Sequence, residues 1–251
     1  MNIKTQLISS GTKRRSGSKI NKVVFFVDHD TGNPNSTAQS NVYYFCNSAN
    51  DDTPSAHAFI DDKGVIICIP CLDKPEKAWH VLYEKPEDNR LYGDDANDIA
   101  IGLELCYFPG DKIRTQKAYD NYIEFAAYLA DYHKIEPSKR SGHFELDSVR
   151  KTDPNNALKI LGKTYAQMKQ DIVKKSNEVY GGGLVSRDQV APWAKDPQSW
   201  VQENKISDGT RPGDFMQRQE DWTMQKRMYD IIDKRLTAIE KRLDEIEKKF
   251  K

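Results

Sequence analysis

Lys22–Thr31 reads KVVFFVDHDT. Its apolar half, Val23–Val27, is rich in β-branched and aromatic residues and ends abruptly in Asp28-His29-Asp30, after which Thr31-Gly32-Asn33-Pro34 turns the chain. A short run of this kind, bounded by turn residues, is a buried strand. His29 then stands at a strand end, where a rigid sheet can aim an imidazole into a cleft. Ile99–Tyr107, IAIGLELCY, is a second run of the same type. Ala56–Ile60 and Val65–Ile69 are two more, joined by Asp61-Asp62-Lys63-Gly64, which signals a hairpin.

Helical patterns alternate with these strands. Ser36 is placed to cap a helix running to about Asn47, with Val42, Tyr43, Phe45 and Cys46 as its apolar face. In Thr115–His133, residues Tyr119, Tyr122, Ile123, Ala126, Leu129 and Ala130 form one stripe at three- and four-residue spacing. Leu158–Tyr180 returns to that period through Leu161, Tyr165, Met168, Ile172 and Val179. Residues 1–21 read as a polar, basic arm, residues 84–98 as a surface loop, and Ser141–Asp153 as a loop carrying His143. Interleaved strands and helices predict an α/β domain, a central mixed β-sheet flanked by helices.

The chain has 251 residues, long enough for one sizeable domain and a small one. Lys plus Arg and Asp plus Glu both number 38, and this neutrality argues against a general nucleic-acid binder. No apolar run approaches the roughly 18 residues of a membrane span, and Met1–Lys19 holds no apolar core of a secretory signal. The expectation is synthesis in a cytoplasm and no membrane partner. Four cysteines are too few for a disulfide scaffold, and Cys68 and Cys71, at a strand end without a redox βαβ context, read as packing. Gly181-Gly182-Gly183 is a joint. It divides the chain into a domain at 1–180, a linker at 181–187 and a small all-helical C-terminal module at 188–251. That module holds Trp193 and Trp200 and ends in Tyr229, Ile232, Leu236, Ile239, Leu243, Ile246 and Phe250. Their spacing is that of a coiled-coil helix over about three heptads or of an amphipathic helix on its own small domain, and self-association is favoured.

Two imidazoles and a carboxylate are the ligand set of a catalytic zinc that keeps a fourth position for water, and His29, His143 and Asp153 supply one. Imidazole suits Zn2+ better than it suits harder cations. Five histidines and 38 acidic residues allow many such triplets, however. On residues alone, His143 as a loop histidine and Asp153 as a turn cap before Pro154 is the ordinary reading. Glu104 alternates with Leu103 and Leu105 and so faces away from them; it is either a general base or half of a strand-edge ion pair. Lys151 is either an oxyanion stabiliser or a solvated lysine. His133, ending a helix, reads as a capping cation.

The ordered set VVFFVDHDTGN, SAHAFIDDKGVI, AWH, AIGLELCY and GHFELDSVRKTDP, spread over about residues 18–180, resembles the zinc-dependent N-acetylmuramoyl-L-alanine amidases of the amidase type 2 class. That class includes phage endolysins and is similar to peptidoglycan-recognition proteins. The resemblance implies hydrolysis of the amide between N-acetylmuramic acid and L-alanine, with bacterial peptidoglycan as partner. It implies His29, His143 and Asp153 as zinc ligands, Glu104 as the residue handling the proton of the attacking water, and Lys151 as the stabiliser of the oxyanion. His57, Trp79 and His80 are implied as substrate contacts or supports of the ligands, the two histidines equally as hydrogen-bonded holders of loops. The sequence departs from the family in Val81-Leu82-Tyr83 after AWH, where small residues are common, and in Asn155-Asn156 after Asp153-Pro154. Many phage relatives carry cysteine at the Asp153 position, an exchange of thiolate for carboxylate.

The tail, WAKDPQSWVQENKISDGTRPGDFMQRQE, resembles a short module that ends some phage endolysins. It implies wall targeting or oligomerisation, with the two tryptophans stacking on sugars or filling a small core. The expectation is a phage-type endolysin, made in the host cytoplasm and acting on the wall after release. The alternative is a non-catalytic peptidoglycan-binding protein of the same fold.

Overall fold

The computed structural model describes residues 1–180 except position 84, and scattered positions between 226 and 248. Six strands form one sheet: β1 (Ile3–Thr5), β2 (Phe25–Asp30), β3 (Ala58–Asp61), β4 (Gly64–Ile67), β5 (Ala100–Leu105) and β6 (Arg140–Gly142), in the spatial order β1-β4-β3-β5-β2-β6. Only the β3–β4 hairpin is antiparallel. The sheet is therefore mixed, as the alternation of strands and helices predicts. The Lys22–Thr31 stretch contains β2. All six residues of that strand are buried, and it lies between β5 and β6.

Side chains alternate across β2, and each face has its own cover. On one face Phe26, with Ile101, Leu103 and Leu105 of β5, joins the core that includes the predicted stripe of α4 (Lys112–His133). The helix α7 (Tyr165–Tyr180) packs on α4 and adds Tyr165, Met168 and Ile172. On the other face Phe25 and Val27 form a smaller cluster with Val81, Ala96, Ala100 and Leu146. The helix α1 (Ala38–Asn47) lies over β3 and β4, its Phe45 ring edge-on to Phe59 at 5.1 Å.

Several expectations need correction. Residues 1–21 are not a surface arm: β1 pairs parallel with β4, and Ile8, Arg14 and Ile20 are buried. The Arg14 guanidinium donates to the Ser48 carbonyl at 3.1 Å and lies over the Phe45 ring, a good use of its planar cation. Positions 84–98 are not a loop but carry α2 (Pro86–Tyr92) and α3 (Ala96–Ile99). Pro86 opens α2, Gly93 closes it, and Asp95 caps α3 through the Asn97 amide. Ser141–Asp153 contains the end of β6 and α5 (His143–Leu146). The predicted helix Leu158–Tyr180 is two helices, α6 (Asn155–Leu161) and α7, because Gly162 adopts φ 70° and ends the first. Thr37, not Ser36, caps α1, because Thr37 and Ser40 form a reciprocal capping box while the Ser36 hydroxyl donates to the Asn33 carbonyl. Tyr43 and Val179 are exposed rather than packed. His133 is no capping cation; its Nε2 donates to the Cys71 carbonyl at 2.7 Å, and burial lowers its pKa. Cys68 and Cys71 are buried free thiols, consistent with packing.

Asp28 anchors the sheet to the helices beside it. Its two oxygens accept a bidentate pair from Arg140 of β6 at 2.7 Å each, together with the hydroxyls of Tyr122 (α4) at 2.7 Å and Tyr165 (α7) at 2.8 Å. Asp28 and Arg140 are essentially inaccessible to solvent. A buried pair gains only when its remaining hydrogen-bond capacity is met, and here it is. Removing one partner strands the other: Arg140→Leu is expected to lower unfolding free energy by about 3–5 kcal/mol, read from urea denaturation. A loss within experimental error would show that the pair does not hold β6 to β2.

Close contacts divide the chain into two units, Met1–Leu184 and Val185–Lys251. In the second, the described positions from 226 to 242 are helical, and Ile232, Leu236 and Ile239 are about half exposed. The linker 181–187, Trp193, Trp200, Leu243, Ile246 and Phe250 lie outside the described residues. Among the described residues no helix is long and apolar enough to cross a membrane.

Candidate metal centre and cleft

Three neighbouring parallel strands, β5, β2 and β6, end at one edge of the sheet. The carboxyl ends of strands in such sheets are where ligand sites form. His29 is the fifth of the six residues of β2, and Glu104 of β5 is its partner in the ladder, so the two side chains leave the same face side by side. His143 follows β6 directly and begins α5. Asp153 arrives from the far side of the loop. The Phe144 amide donates to the Asp153 carbonyl at 3.1 Å, which ties that loop to α5.

The side chains His29, His143 and Asp153 converge. One ligand atom from each lies within 4.8 Å of the other two. His29 Nδ1 is 2.9 Å from Asp153 Oδ2, and His143 Nδ1 is 3.0 Å from the same oxygen. The imidazole rings are 4.6 Å apart and nearly perpendicular. Burial alone would raise the Asp153 carboxyl, but hydrogen bonds from His143 and His29, and their charge, hold it far below the usual carboxylate range. Burial lowers His143 to about 4, with His29 adding repulsion and Asp153 opposing. Burial also works against protonation of His29, but there Asp153 and the Glu104 charge prevail and raise its pKa.

Glu104 sits beside this trio with its Oε2 buried and without a hydrogen-bond partner. Burial pushes its carboxyl up to about 8; His29 opposes that, and the Asp153 and Asp30 charges reinforce it. An orphaned carboxylate oxygen next to two imidazoles and an aspartate is costly unless a cation or a reacting proton belongs there. The fit to a divalent ion is good on chemistry as well: two nitrogen donors and one oxygen donor, from three separated chain positions, leave one tetrahedral position open.

Lys151 and Trp79 line the same cleft as His29, Glu104, His143 and Asp153. The Lys151 charge is close enough to act on His29, Glu104 and His143 alike. The Trp79 indole donates to the Lys13 carbonyl at 2.9 Å, which fixes the ring, and Tyr83 lies 5.9 Å away. A cavity of about 460 Å3 continues from His80 and His143 between Leu82, Tyr83 and Arg150. His80 lines both that cavity and the cleft, with its Nδ1 3.2 Å from His29 Nε2.

Of its two readings, substrate contact or hydrogen-bonded holder of loops, His57 takes the second. It does not reach the cleft: its Nε2 donates to the Glu76 carbonyl at 2.8 Å, its Nδ1 accepts from the Gly102 amide at 3.0 Å, and it is fully buried. Burial lowers its pKa to about 4. It is a neutral bridge between backbone segments and is not available to substrate. Two residues that the sequence did not single out support the site. Asp30 accepts from the Asn156 and Ala157 amides at 2.9 and 3.2 Å, so β2 itself caps α6 just beyond Asp153. Asn97 accepts from the His80 and Val81 amides and donates to the Val81 carbonyl. Asp30 has a visible sign, its place beside His29 in DHD; Asn97 has none.

The family model for N-acetylmuramoyl-L-alanine amidase matches residues 19–156. Among solved structures, the catalytic domain of XlyA is 24% identical, with 68% of this chain and 99% of that one covered and a TM-score of 0.55. A mutant endolysin from Bacillus subtilis is 24% identical over 68% and 99%, with a TM-score of 0.54. The Staphylococcus aureus hydrolase AmiA, solved with its ligand, is 20% identical over 73% and 87%, with a TM-score of 0.59. At these identities the likeness establishes the fold. No curated protein matches the sequence. The matched stretch is more than half of the chain and carries every residue of the cleft described above, and the protein belongs to the N-acetylmuramoyl-L-alanine amidase family.

Proposed function

We propose that this protein is a zinc-dependent endolysin of phage type. It would hydrolyse the amide between the lactyl group of N-acetylmuramic acid and L-alanine of the stem peptide in bacterial peptidoglycan. The observation that carries the reading is the meeting of His29, His143 and Asp153 within 4.8 Å, with Glu104 in register beside His29. Two imidazoles favour zinc over magnesium or calcium. The similar fold described as an endolysin supports the biological setting.

His29, His143 and Asp153 would hold the ion; when bound, it supplies a Lewis acid that lowers the pKa of a water to about 7 and polarises the substrate carbonyl. Glu104 accepts a proton from the attacking water and returns it to the amide nitrogen, so that L-alanine leaves as an amine. Lys151 places its ammonium where negative charge develops on the carbonyl oxygen, an interaction stronger in the transition state than in the ground state. Trp79, fixed by its indole hydrogen bond, and the Leu82–Tyr83 wall offer apolar surface to the peptide or sugar. The module at 188–251 would hold the enzyme on the wall or join copies of it. Synthesis in the host cytoplasm, with action on the wall after release, completes the proposal.

The test is release of new N-terminal alanine from purified cell walls, before and after exhaustive chelation and again after zinc is restored. Loss on chelation with recovery on zinc is expected. Turnover that persists without metal would overturn the mechanism, and wall binding without alanine release would favour the non-catalytic alternative.

A further inference from the structure

We infer that His80 is a positioning residue for the metal centre: it accepts the Nε2 proton of His29 and thereby fixes which ring nitrogen His29 turns toward Asp153 and His143. The inference rests on the metal-centre reading and adds to it the device that sets one ligand's tautomer.

His29 Nδ1 and His143 Nδ1 both face Asp153 Oδ2, at 2.9 and 3.0 Å, so Nδ1 is the His29 atom directed into the centre. A neutral imidazole carries one proton. For Nδ1 to ligate a cation, the proton must sit on Nε2, and a buried N–H without an acceptor is costly. His29 is 2% exposed, and its Nε2 meets His80 Nδ1 at 3.2 Å. That is the partner relation that ligating histidines ordinarily have with a carboxylate or a carbonyl; here an imidazole takes the role.

The seat of His80 is built rather than incidental. The Asn97 side chain accepts from the His80 and Val81 amides at 2.9 and 3.0 Å and donates to the Val81 carbonyl at 2.7 Å, which clamps the backbone on both sides of the ring. Asn97 is itself held through its amide by the Asp95 cap. The ring then lies flush on β5 at Gly102. A Cβ there would stand 2.6 Å from His80 Cγ and 2.7 Å from Nδ1, distances that no side chain tolerates, so the absence of a side chain at Gly102 makes the seat. Behind it stands the His57 ring at 5.7 Å, locked to backbone at both nitrogens. The His80 ring makes its side-chain hydrogen bond, among the described residues, through Nδ1 to His29. With Nδ1 accepting, the ring proton sits on Nε2, which is buried without a partner, and that cost is borne by the backbone clamp and the packing on Gly102.

The experiment uses the full chain. His80→Leu keeps bulk and removes the acceptor; His80→Asn returns an acceptor oxygen near the place of Nδ1; Gly102→Ala leaves the chemistry of His80 intact and displaces its ring. Zinc affinity is measured by competition with a chelator. The zinc-loaded protein, labelled with 15N histidine, is examined for a slowly exchanging His29 Nε2 proton. The wild type is expected to show that proton. His80→Leu and Gly102→Ala are expected to lose it and to bind zinc about 10–100-fold more weakly, while His80→Asn recovers most of the affinity. Equal zinc affinity in His80→Leu and wild type overturns the inference, as does His80→Asn binding no better than His80→Leu. If the wild type itself takes up no zinc, the metal-centre reading fails first, a result distinguishable because all four proteins then behave alike.

Discussion

Asp153→Ala is expected to abolish stoichiometric zinc binding and to lower wall hydrolysis by on the order of 10^3-fold or more, since a lost Lewis acid forfeits several kcal/mol of transition-state stabilisation. Among the described residues Asp153 is the sole carboxylate directly between the two imidazoles, and its Oδ2 is the atom both rings face. Without it, two nitrogens remain, too few to hold a catalytic ion that must also keep an open position. Asp153→Asn separates charge from shape. The amide fills the same space but does not offset the ion's charge, so it should restore the loop without restoring affinity. The loop itself has other ties, the Phe144 amide to the Asp153 carbonyl and the Asp30 cap of α6, so both variants should fold. Zinc content per chain and alanine release are measured on the same preparations. Either variant retaining one zinc and wild-type turnover would remove Asp153 from the centre.

The parts of this fold that the sequence made plain are those whose burial leaves a period. The first half of β2 and all of β5 but Gly102 and Glu104 are apolar because both faces of those strands are covered, and the α4 stripe repeats over enough turns to be unambiguous. β1 and β6 have three residues each, too short for a period, and their pairing is decided by the neighbouring strand. β1 extends the sheet, whereas β6 delivers His143. The segment around α2 and α3 is charged and reads as solvated, yet Asp88 and Asn97 are buried because each satisfies backbone amides that would otherwise have no partner. Pro86, Gly93 and Asp95 were legible helix signals there, outweighed by composition.

The site shows the same division. The ligand trio followed from the resemblance, but its convergence depends on Asp153 crossing to β2 and β6, which no local pattern encodes. Alternation alone showed that Glu104 faces away from Leu103 and Leu105. That it faces His29 is a matter of register between β2 and β5, fixed by the sheet. His57 and His80 look alike in sequence, each a histidine beside small or aromatic residues, and they diverge in space because His57 finds a carbonyl and an amide at its two nitrogens while His80 finds another histidine.

Glu104→Gln should leave zinc content unchanged and reduce turnover by about 10^2–10^4-fold, the range that a lost general acid–base residue supplies. Glutamine keeps the size and the polar end of the side chain but cannot take a proton from water. The pH dependence gives an independent check. In the metal-free protein, burial pushes the Glu104 carboxyl up to about 8, with the Asp153 and Asp30 charges adding to it against His29 and Lys151. A raised folded-state pKa means that the protonated form is the favoured one. Its contribution to stability is complete below the ordinary glutamate range and is lost as pH rises through about 8. Glutamine has no such ionisation, so the stability of metal-free Glu104→Gln relative to wild type should climb over that interval. A divalent ion nearby favours the carboxylate, and zinc-loaded wild type should therefore ionise lower. Activity should rise with pH through that lower ionisation and then level, because only the carboxylate can act as a base. In Glu104→Gln the rise should disappear from what activity remains. A variant that turns over normally, or that keeps the same rise, would place the proton-accepting group elsewhere in the cleft.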